Sequence, residues 1–97
     1  MDIYYVIYED IKLGSKGERV EREYIRTHAK TRSNLSIEWT QSLVKAQKFK
    51  TIGEAVTMAK RLVDDKLTLH IGEYIEGILY STVTIKGNWN VQGWEVQ

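Results

Sequence analysis

The sequence contains no cysteine. This absence excludes a disulfide scaffold, a thiolate metal site and a cysteine nucleophile. Because small secreted domains usually depend on disulfides, it favours a protein of the reducing cytosol. The N-terminal segment also carries an acid, Asp2, where a secretory signal peptide needs positive charge. We therefore expect a cytoplasmic protein.

Long apolar runs are also missing, since no stretch approaches the roughly 20 residues that a membrane-spanning helix requires. We therefore expect no contact with a membrane. The chain has 97 residues, of which 42% are hydrophobic and 28% charged, and this leaves room for one domain, 1–97. Three Trp, six Tyr and one Phe supply bulky side chains for a core or an interface.

Catalytic motifs are equally scarce. The two histidines, His28 and His70, lie far apart in the sequence, and neither a HExxH zinc motif nor a nucleophile elbow is present. Gly14 and Gly17 precede a polar strand rather than the helix that a phosphate-binding loop requires. We expect no enzymatic activity, no metal and no cofactor, and a hydrolase that uses His70 is the least favoured alternative.

Charge is unevenly distributed although the formal net charge is only +1. Residues 1–11 contain three acids and no Lys or Arg, and residues 64–97 contain five acids against two bases. Between them, residues 12–32 contain seven bases against three acids, and residues 33–63 five against two. A basic middle of this kind indicates either a surface for an anionic partner or, in a compact fold, a region that the acidic ends neutralise.

Hydrophobic periodicity predicts three strands in the first half of the chain. The segment Ile3–Tyr8 is apolar on both alternating faces, which is typical of a central strand. Glycines near residue 15 predict a turn, and residues 19–27 then pair back as an antiparallel strand. Alternation over residues 35–40 predicts a third strand, and a three-residue spacing of apolar positions over 42–49 indicates a short helix.

The main helix is predicted over about 51–65. Thr51 is an expected N-cap, and Glu54 completes the pattern of a capping box. The apolar residues after the cap recur at helical spacing and form one stripe, which needs a sheet to cover it. The members of this stripe are Ile52, Ala55, Val56, Ala59, Leu62 and Val63.

The period returns to two after the helix and predicts strands over 67–71 and 78–85, with a further strand in the C-terminal tail. In that tail the apolar alternation changes phase at Gly93, so we expect a β-bulge there. The predicted fold is α+β, a mostly antiparallel sheet of five to six strands with one main helix packed on one face. The expected order is β-β-β-(short α)-α-β-β-(β).

A basic stripe is one of two candidate binding features. Alternate positions from 22 to 32 carry cations and one aromatic ring, which suits single-stranded nucleic acid or a nucleotide if the segment is extended. The alternative is an edge strand whose charges prevent pairing with another chain. The residues of this stripe are Arg22, Tyr24, Arg26, His28, Lys30 and Arg32.

Aromatic residues in the C-terminal part form the second candidate. Trp and Tyr are enriched at interface hot spots, but they also fill small cores. We take Trp89 and Trp94, with the exposed edge near Tyr24, as the predicted contact surface for a protein partner. An exposed terminal strand of this kind would also favour a homo-oligomer.

The first two-thirds of the chain resemble a known type of small phage protein. The segment Ile37–Thr40, then Ala46 and Lys48–Phe49, then Thr51–Ala55 at the helix start, is similar to an uncharacterised early-region family of temperate staphylococcal phages. The resemblance implies a context and no site residues: accessory phage proteins of this size often bind and redirect a host protein, or blunt a host defence system. It also implies the host cytoplasm as the location.

The expected function is therefore that of a non-enzymatic accessory protein that binds a host or phage protein. Single-stranded nucleic-acid or nucleotide binding through the basic stripe is the alternative. The two differ in their response to salt, because a contact driven by phosphates weakens steeply as salt rises.

Overall fold

The computed structural model of the chain describes residues 2–30, 35–63, 68–86 and 90–96, with the backbone alone for 28–30, 35 and 90–96. These residues form one antiparallel sheet of six strands in the order β3-β2-β1-β4-β5-β6 and one α-helix. The α+β class and the predicted element order are confirmed. The bounds are β1 (Ile3–Leu13), β2 (Arg19–Lys30), β3 (Leu35–Thr40), α1 (Ile52–Leu62), β4 (Leu69–Ile75), β5 (Ile78–Lys86) and β6 (Asn90–Val96).

Strand β1 lies inside the sheet, between β2 and β4, as its sequence predicts. Val6 and Ile7 point to opposite faces, and both are fully buried. A strand that is apolar on both faces needs cover on both. Helix α1 supplies it on one face, and the segment around a 3-10 turn at Leu43–Lys45 contributes to it on the other.

Helix α1 forms where its N-cap and its apolar stripe predict it. Thr51 Oγ1 accepts a hydrogen bond from the Glu54 backbone N at 3.2 Å, which satisfies one of the free amides of the first turn. Ala55, Ala59 and Leu62 then face the sheet and are at most 1% exposed. The helix ends at Leu62, a little before the predicted end, and Val63 N still donates to Ala59 O at 2.9 Å.

The segment from 42 to 49 differs from the short helix predicted for it. Its helical part is the three-residue 3-10 turn, closed by hydrogen bonds from Lys45 N to Ser42 O and from Ala46 N to Leu43 O, and after Ala46 its backbone groups bond to the sheet. Gln47 N donates to Ile25 O at 2.9 Å, and Phe49 exchanges two hydrogen bonds with Tyr5, at 2.8 and 2.9 Å. The segment thereby crosses between β1 and β2, with Ala46 packed on one face and Phe49 on the other.

Irregular pairing sets which side chains share a face. The register of β2 against β3 shifts by one residue between Ile25 and Thr27. The register of β6 against β5 also shifts, since Trp94 lies opposite Val83 and Val91 opposite Ile85. The extra β6 residue falls in the Gln92–Gly93 pair, where the sequence predicts a bulge.

The β4–β5 connection is a two-residue turn at Glu76 and Gly77. Both residues have positive φ, 51° and 81° respectively, as in a type I′ hairpin turn. Glycine adopts this conformation without strain, but glutamate does not. The turn fixes the register at this end of the sheet, because Ile75 and Ile78 are paired directly across it.

Candidate functional site

The helix-bearing face of the sheet consists of cross-strand rows, each with one residue from β1, β4 and β5. The row closest to the centre is Ile7, Ile71 and Val83, all at most 1% exposed and all part of the core beneath α1. Two further rows lie between this core and the β4–β5 turn. They differ from it in polarity and in burial.

The next row is polar. Tyr5, Glu73 and Ser81 lie side by side on the three strands. The Tyr5 hydroxyl donates to Glu73 Oε2 at 2.9 Å, and the Ser81 hydroxyl donates to Glu73 Oε1 at 3.2 Å. The hydrogen bond to Glu73, together with partial burial, raises the pKa of Tyr5 above its usual value. We call these three residues the polar belt.

The outermost row is apolar again. Ile3 pairs with Ile75, and Ile75 pairs with Ile78, so the three side chains share the helix-bearing face. Ile3 is 46% exposed and Ile78 61% exposed, whereas Ile75 is half-buried. None of the three belongs to the core cluster of the described residues, from which the polar belt separates them. We call these three residues the isoleucine row.

Two acidic residues adjoin the isoleucine row in the sequence, Asp2 before Ile3 and Glu76 after Ile75. Burial, together with the charges of Tyr74 and Asp2, raises the pKa of Tyr4, so Asp2 lies near the opposite, helix-free face. Asp2 and Glu76 are both exposed, and the Glu76 backbone N donates to Asp2 O at 2.9 Å, which holds the two residues together. Glu73 lies one row further in. We call the isoleucine row, together with Asp2 and Glu76, the acidic–apolar end.

The opposite, helix-free face carries a cluster of tyrosines. Tyr4 stacks on Tyr74 with ring centroids 5.8 Å apart, and Tyr24 meets both Tyr74 and Tyr8 edge-on, at 6.5 and 6.2 Å. The Tyr24 and Tyr74 hydroxyls are 3.3 Å apart, and the Tyr8 hydroxyl lies 2.9 Å from Thr82 Oγ1. Tyr8 and Tyr74 are at most 4% exposed, so these two rings serve as core and offer little surface for stacking a base.

Arg22 is a structural part of this tyrosine cluster. Its guanidinium forms two hydrogen bonds to the Asp10 carboxylate, at 2.8 and 3.0 Å, and lies 4.1 Å from the centre of the Tyr8 ring. The hydrogen bonds to Asp10 raise the pKa of Arg22, although burial opposes the shift. Two fixed contacts leave this cation less available to an external phosphate.

The structure does not keep the basic stripe on one face. Arg22 and Tyr24 lie opposite Asp10 and Tyr8 on the helix-free face, but the bulge at Arg26 changes the phase of the residues after it. The His28 backbone then pairs with Ile37, whose side chain packs against the core on the helix-bearing side. Regular alternation over the whole stripe is therefore a wrong prediction, because one extra residue reverses the faces.

The edge-strand interpretation of the same segment also needs correction. Strand β2 is interior, with β1 on one side and β3 on the other, so β3 is the edge strand at this end of the sheet. Arg26 forms an ion pair with Glu38 of β3, 3.2 Å between Nη1 and Oε1. The Lys30 backbone pairs with Leu35, and Arg32 lies outside the described residues.

The predicted aromatic contact surface falls mostly outside the described side chains. Trp89 lies outside the described residues, and only the backbone of Trp94 is described, in the edge strand β6. Tyr24 is half-buried and belongs to the tyrosine cluster. A role for these three residues in binding a protein stays a prediction.

His70 has structural contacts. Its Nδ1 lies 2.9 Å from the Thr84 hydroxyl, and its ring centroid lies 5.1 Å from that of Tyr8. In the described part of the chain, no group of three or more His, Asp or Glu side chains is placed to hold a metal ion. No described helix has the length and apolar character needed to cross a membrane.

Sequence reasoning missed the isoleucine row. Ile3, Ile75 and Ile78 each continue an apolar strand pattern, and such a pattern predicts a core position. The signal that distinguishes Ile75 and Ile78 is the pair Glu76–Gly77 between them, which is suited to a two-residue hairpin turn and would place the two isoleucines opposite each other.

Comparison with known proteins adds no relative. No protein-family model matches the chain, and no curated protein or solved structure matches it either.

Proposed function

We propose that this chain is a non-enzymatic binding protein that docks onto another protein through the acidic–apolar end. The accessory-phage context, with a host or phage protein as the partner, comes from the resemblance of the first two-thirds of the sequence. The observation that supports docking is the isoleucine row, which lies on three adjacent strands beyond the polar belt and whose outer members, Ile3 and Ile78, are exposed.

Contiguity distinguishes this row from ordinary surface hydrophobics. Single exposed aliphatic residues are normal on a soluble protein and need no explanation. Neighbouring strands lie about 4.8 Å apart, so the three isoleucines form one strip about 10 Å long. The hydroxyl–carboxylate contacts of the polar belt occupy the sheet between this strip and the core, so the strip adds little to the core of the described residues.

Burial of the row by a partner would supply useful binding energy. Complete burial of one isoleucine side chain is worth about 1.5–3 kcal/mol, and the exposed fractions of Ile3 and Ile78 together amount to about one such side chain. This corresponds to a change in Kd of about 10- to 150-fold.

A pull-down from host lysate, read by mass spectrometry with and without nuclease, tests the proposal. The wild-type chain should retain one stoichiometric protein after nuclease treatment, and the double variant Ile3→Ser/Ile78→Ser should lose it. Val44→Ser is the matched control, because Val44 is 85% exposed in the 3-10 turn, outside the acidic–apolar end. Equal capture by the double variant and the wild type would refute docking at this end.

The same experiment tests the alternative, nucleic-acid or nucleotide binding through the basic stripe. Arg22 and Arg26 already have the carboxylate partners Asp10 and Glu38, which weakens the basis for it. Enrichment that disappears with nuclease, and that is lost in the charge reversals Arg22→Glu and Arg26→Glu, would favour this alternative over docking.

A further inference from the structure

We infer that the segment 42–46 is a strap over the tyrosine cluster, latched by the ammonium of Lys48 and able to open without unfolding of the sheet. This inference is independent of docking at the acidic–apolar end, because the strap lies on the helix-free face. Its basis is the way in which the strap is attached to the rest of the molecule.

The backbone of the strap is not part of the sheet. The two backbone hydrogen bonds of the 3-10 turn, at 3.1 and 3.2 Å, both lie within the strap. In the described part of the chain, backbone bonding to an interior strand begins after it, where Gln47 N donates to Ile25 O at 2.9 Å. Release of the strap therefore breaks no hydrogen bond between strands.

The strap also buries few apolar side chains. Ala46 is 6% exposed and Leu43 is half-buried, and both pack against the tyrosine cluster. Val44, which lies between them, is 85% exposed. Segments that bury few apolar side chains open locally at a lower free energy than the core. A further attachment therefore decides whether the strap stays closed.

Lys48 supplies that attachment. Its Nζ donates to Leu43 O and Val44 O at 3.0 Å and to Ala46 O at 3.2 Å, and these three acceptors match the three N–H donors of an ammonium. The ammonium also lies 5.4 Å from the centre of the Tyr4 ring, within the range of a cation–π contact. One side chain thereby joins the carbonyls of the strap to the ring that stacks on Tyr74.

The ammonium of Lys48 suits this position for an electrostatic reason. Carbonyl groups at the end of a helical turn lack partners within the turn and carry partial negative charge, which a cation offsets. A neutral glutamine has two N–H donors in one plane and a shorter side chain, so it cannot serve three carbonyls and a ring together. Because Lys48 is exposed, the latch is accessible from solvent. Loss of its charge should release the strap and uncover the Tyr4 ring.

Amide hydrogen exchange followed by NMR on the ¹⁵N-labelled full chain tests the inference. In the wild type, the Ala46 amide should be at least about tenfold less protected than the Ile71 amide of the interior strand β4, because the strap opens while the sheet stays folded. In Lys48→Gln the exchange at Ala46 should be about tenfold faster still, the effect expected for loss of one hydrogen bond from a charged donor, and the exchange at Ile71 should not change.

A second lysine of the same turn provides the control. Lys45→Gln removes the same charge from an exposed residue of the strap, and its Ala46 amide should exchange at the wild-type rate. An acceleration in Lys45→Gln as large as that in Lys48→Gln would assign the effect to net charge and reject the latch.

The other outcomes also overturn the inference. Equal acceleration at Ala46 and Ile71 in Lys48→Gln would show that the strap opens only when the whole sheet unfolds, and an unchanged Ala46 rate in this variant would show that Lys48 does not hold it. Equal protection of Ala46 and Ile71 in the wild type would reject separate opening without any variant. Capture from lysate decides docking at the acidic–apolar end separately.

Discussion

Substitution of Gly72 by alanine tests the packing of the helix-free face. An added Cβ would lie 2.9 Å from Leu79 Cδ1, 3.0 Å from Tyr74 Cε1 and 3.1 Å from Tyr8 Cε1. Carbon atoms in contact normally lie about 3.5–4.0 Å apart, so all three neighbours would have to move by about half an ångström or more. Two of the neighbours are nearly buried tyrosine rings whose hydroxyls are in hydrogen-bond contact with other strands.

The expected effect is a net loss of stability. Overpacking of this kind costs about 1–3 kcal/mol, and replacement of a strand glycine by alanine returns about 0.5–1 kcal/mol of backbone entropy. The free energy of unfolding should therefore fall by about 0.5–2 kcal/mol in Gly72→Ala. For a domain of this size, the melting temperature should drop by about 3–15 °C.

A matched glycine-to-alanine substitution in the helix should raise the free energy of unfolding instead of lowering it. Gly53 lies in the first turn of α1, where the nearest atom to an added Cβ is Thr51 Oγ1, at 4.0 Å. Gly53→Ala should stabilise the protein by about 0.5–1 kcal/mol through helix propensity. Urea and thermal unfolding followed by circular dichroism measure both variants. If Gly72→Ala stabilised the protein as much as Gly53→Ala, the packing described for Tyr8 and Tyr74 would be refuted.

Three other predictions concern the turn, the helix start and the response to alkali. Glu76 has a φ of 51°, which Asn tolerates better than Glu, so Glu76→Asn should raise the free energy of unfolding by about 0.5–1 kcal/mol. Gly77 has a φ of 81°, which Ala tolerates poorly, so Gly77→Ala should lower the free energy of unfolding by about 1–2 kcal/mol. Equal effects of the two substitutions in urea melts would contradict the type I′ turn. Thr51→Ala should cost about 1 kcal/mol through loss of the N-cap, whereas Thr57→Ala on the exposed helix surface should cost nothing; similar losses would argue against the cap. Burial raises the pKa of Tyr8 above its usual value, so the Tyr8 hydroxyl loses its proton at lower pH in the unfolded chain than in the folded one. The free energy of unfolding should therefore fall as the pH rises above about 10. Tyrosinate absorbance that develops fully while the far-ultraviolet spectrum stays native would contradict this prediction.

The regular elements were predictable because their signals are local. The N-cap at Thr51 and the apolar stripe after it define α1 without knowledge of the sheet. Strand β1 was recognisable as interior, because both of its faces are apolar over Ile3–Tyr8. Even the β6 irregularity was visible, since the apolar alternation changes phase at Gly93.

The functional features were harder to predict because they depend on contacts between distant residues. The charge of Arg22 is cancelled by Asp10, 12 positions away, and that of Arg26 by Glu38 on another strand. Neither pairing follows from the alternation of residues 22–32, and the bulge that breaks this alternation has no glycine to mark it. The isoleucine row was also not predictable, because the sequence does not show how much of the sheet helix α1 covers in the folded protein.

The most direct test of docking at the acidic–apolar end is amide hydrogen exchange on the full chain, alone and in complex with the protein captured from lysate. Binding at this end predicts slower exchange in the complex at residues 2–5 and 73–80, with the β2–β3 hairpin and α1 unchanged. Protection confined to residues 22–27, to β6 or to the helix would contradict the account. The partner would then bind a different surface, and the isoleucine row would have no part in recognition.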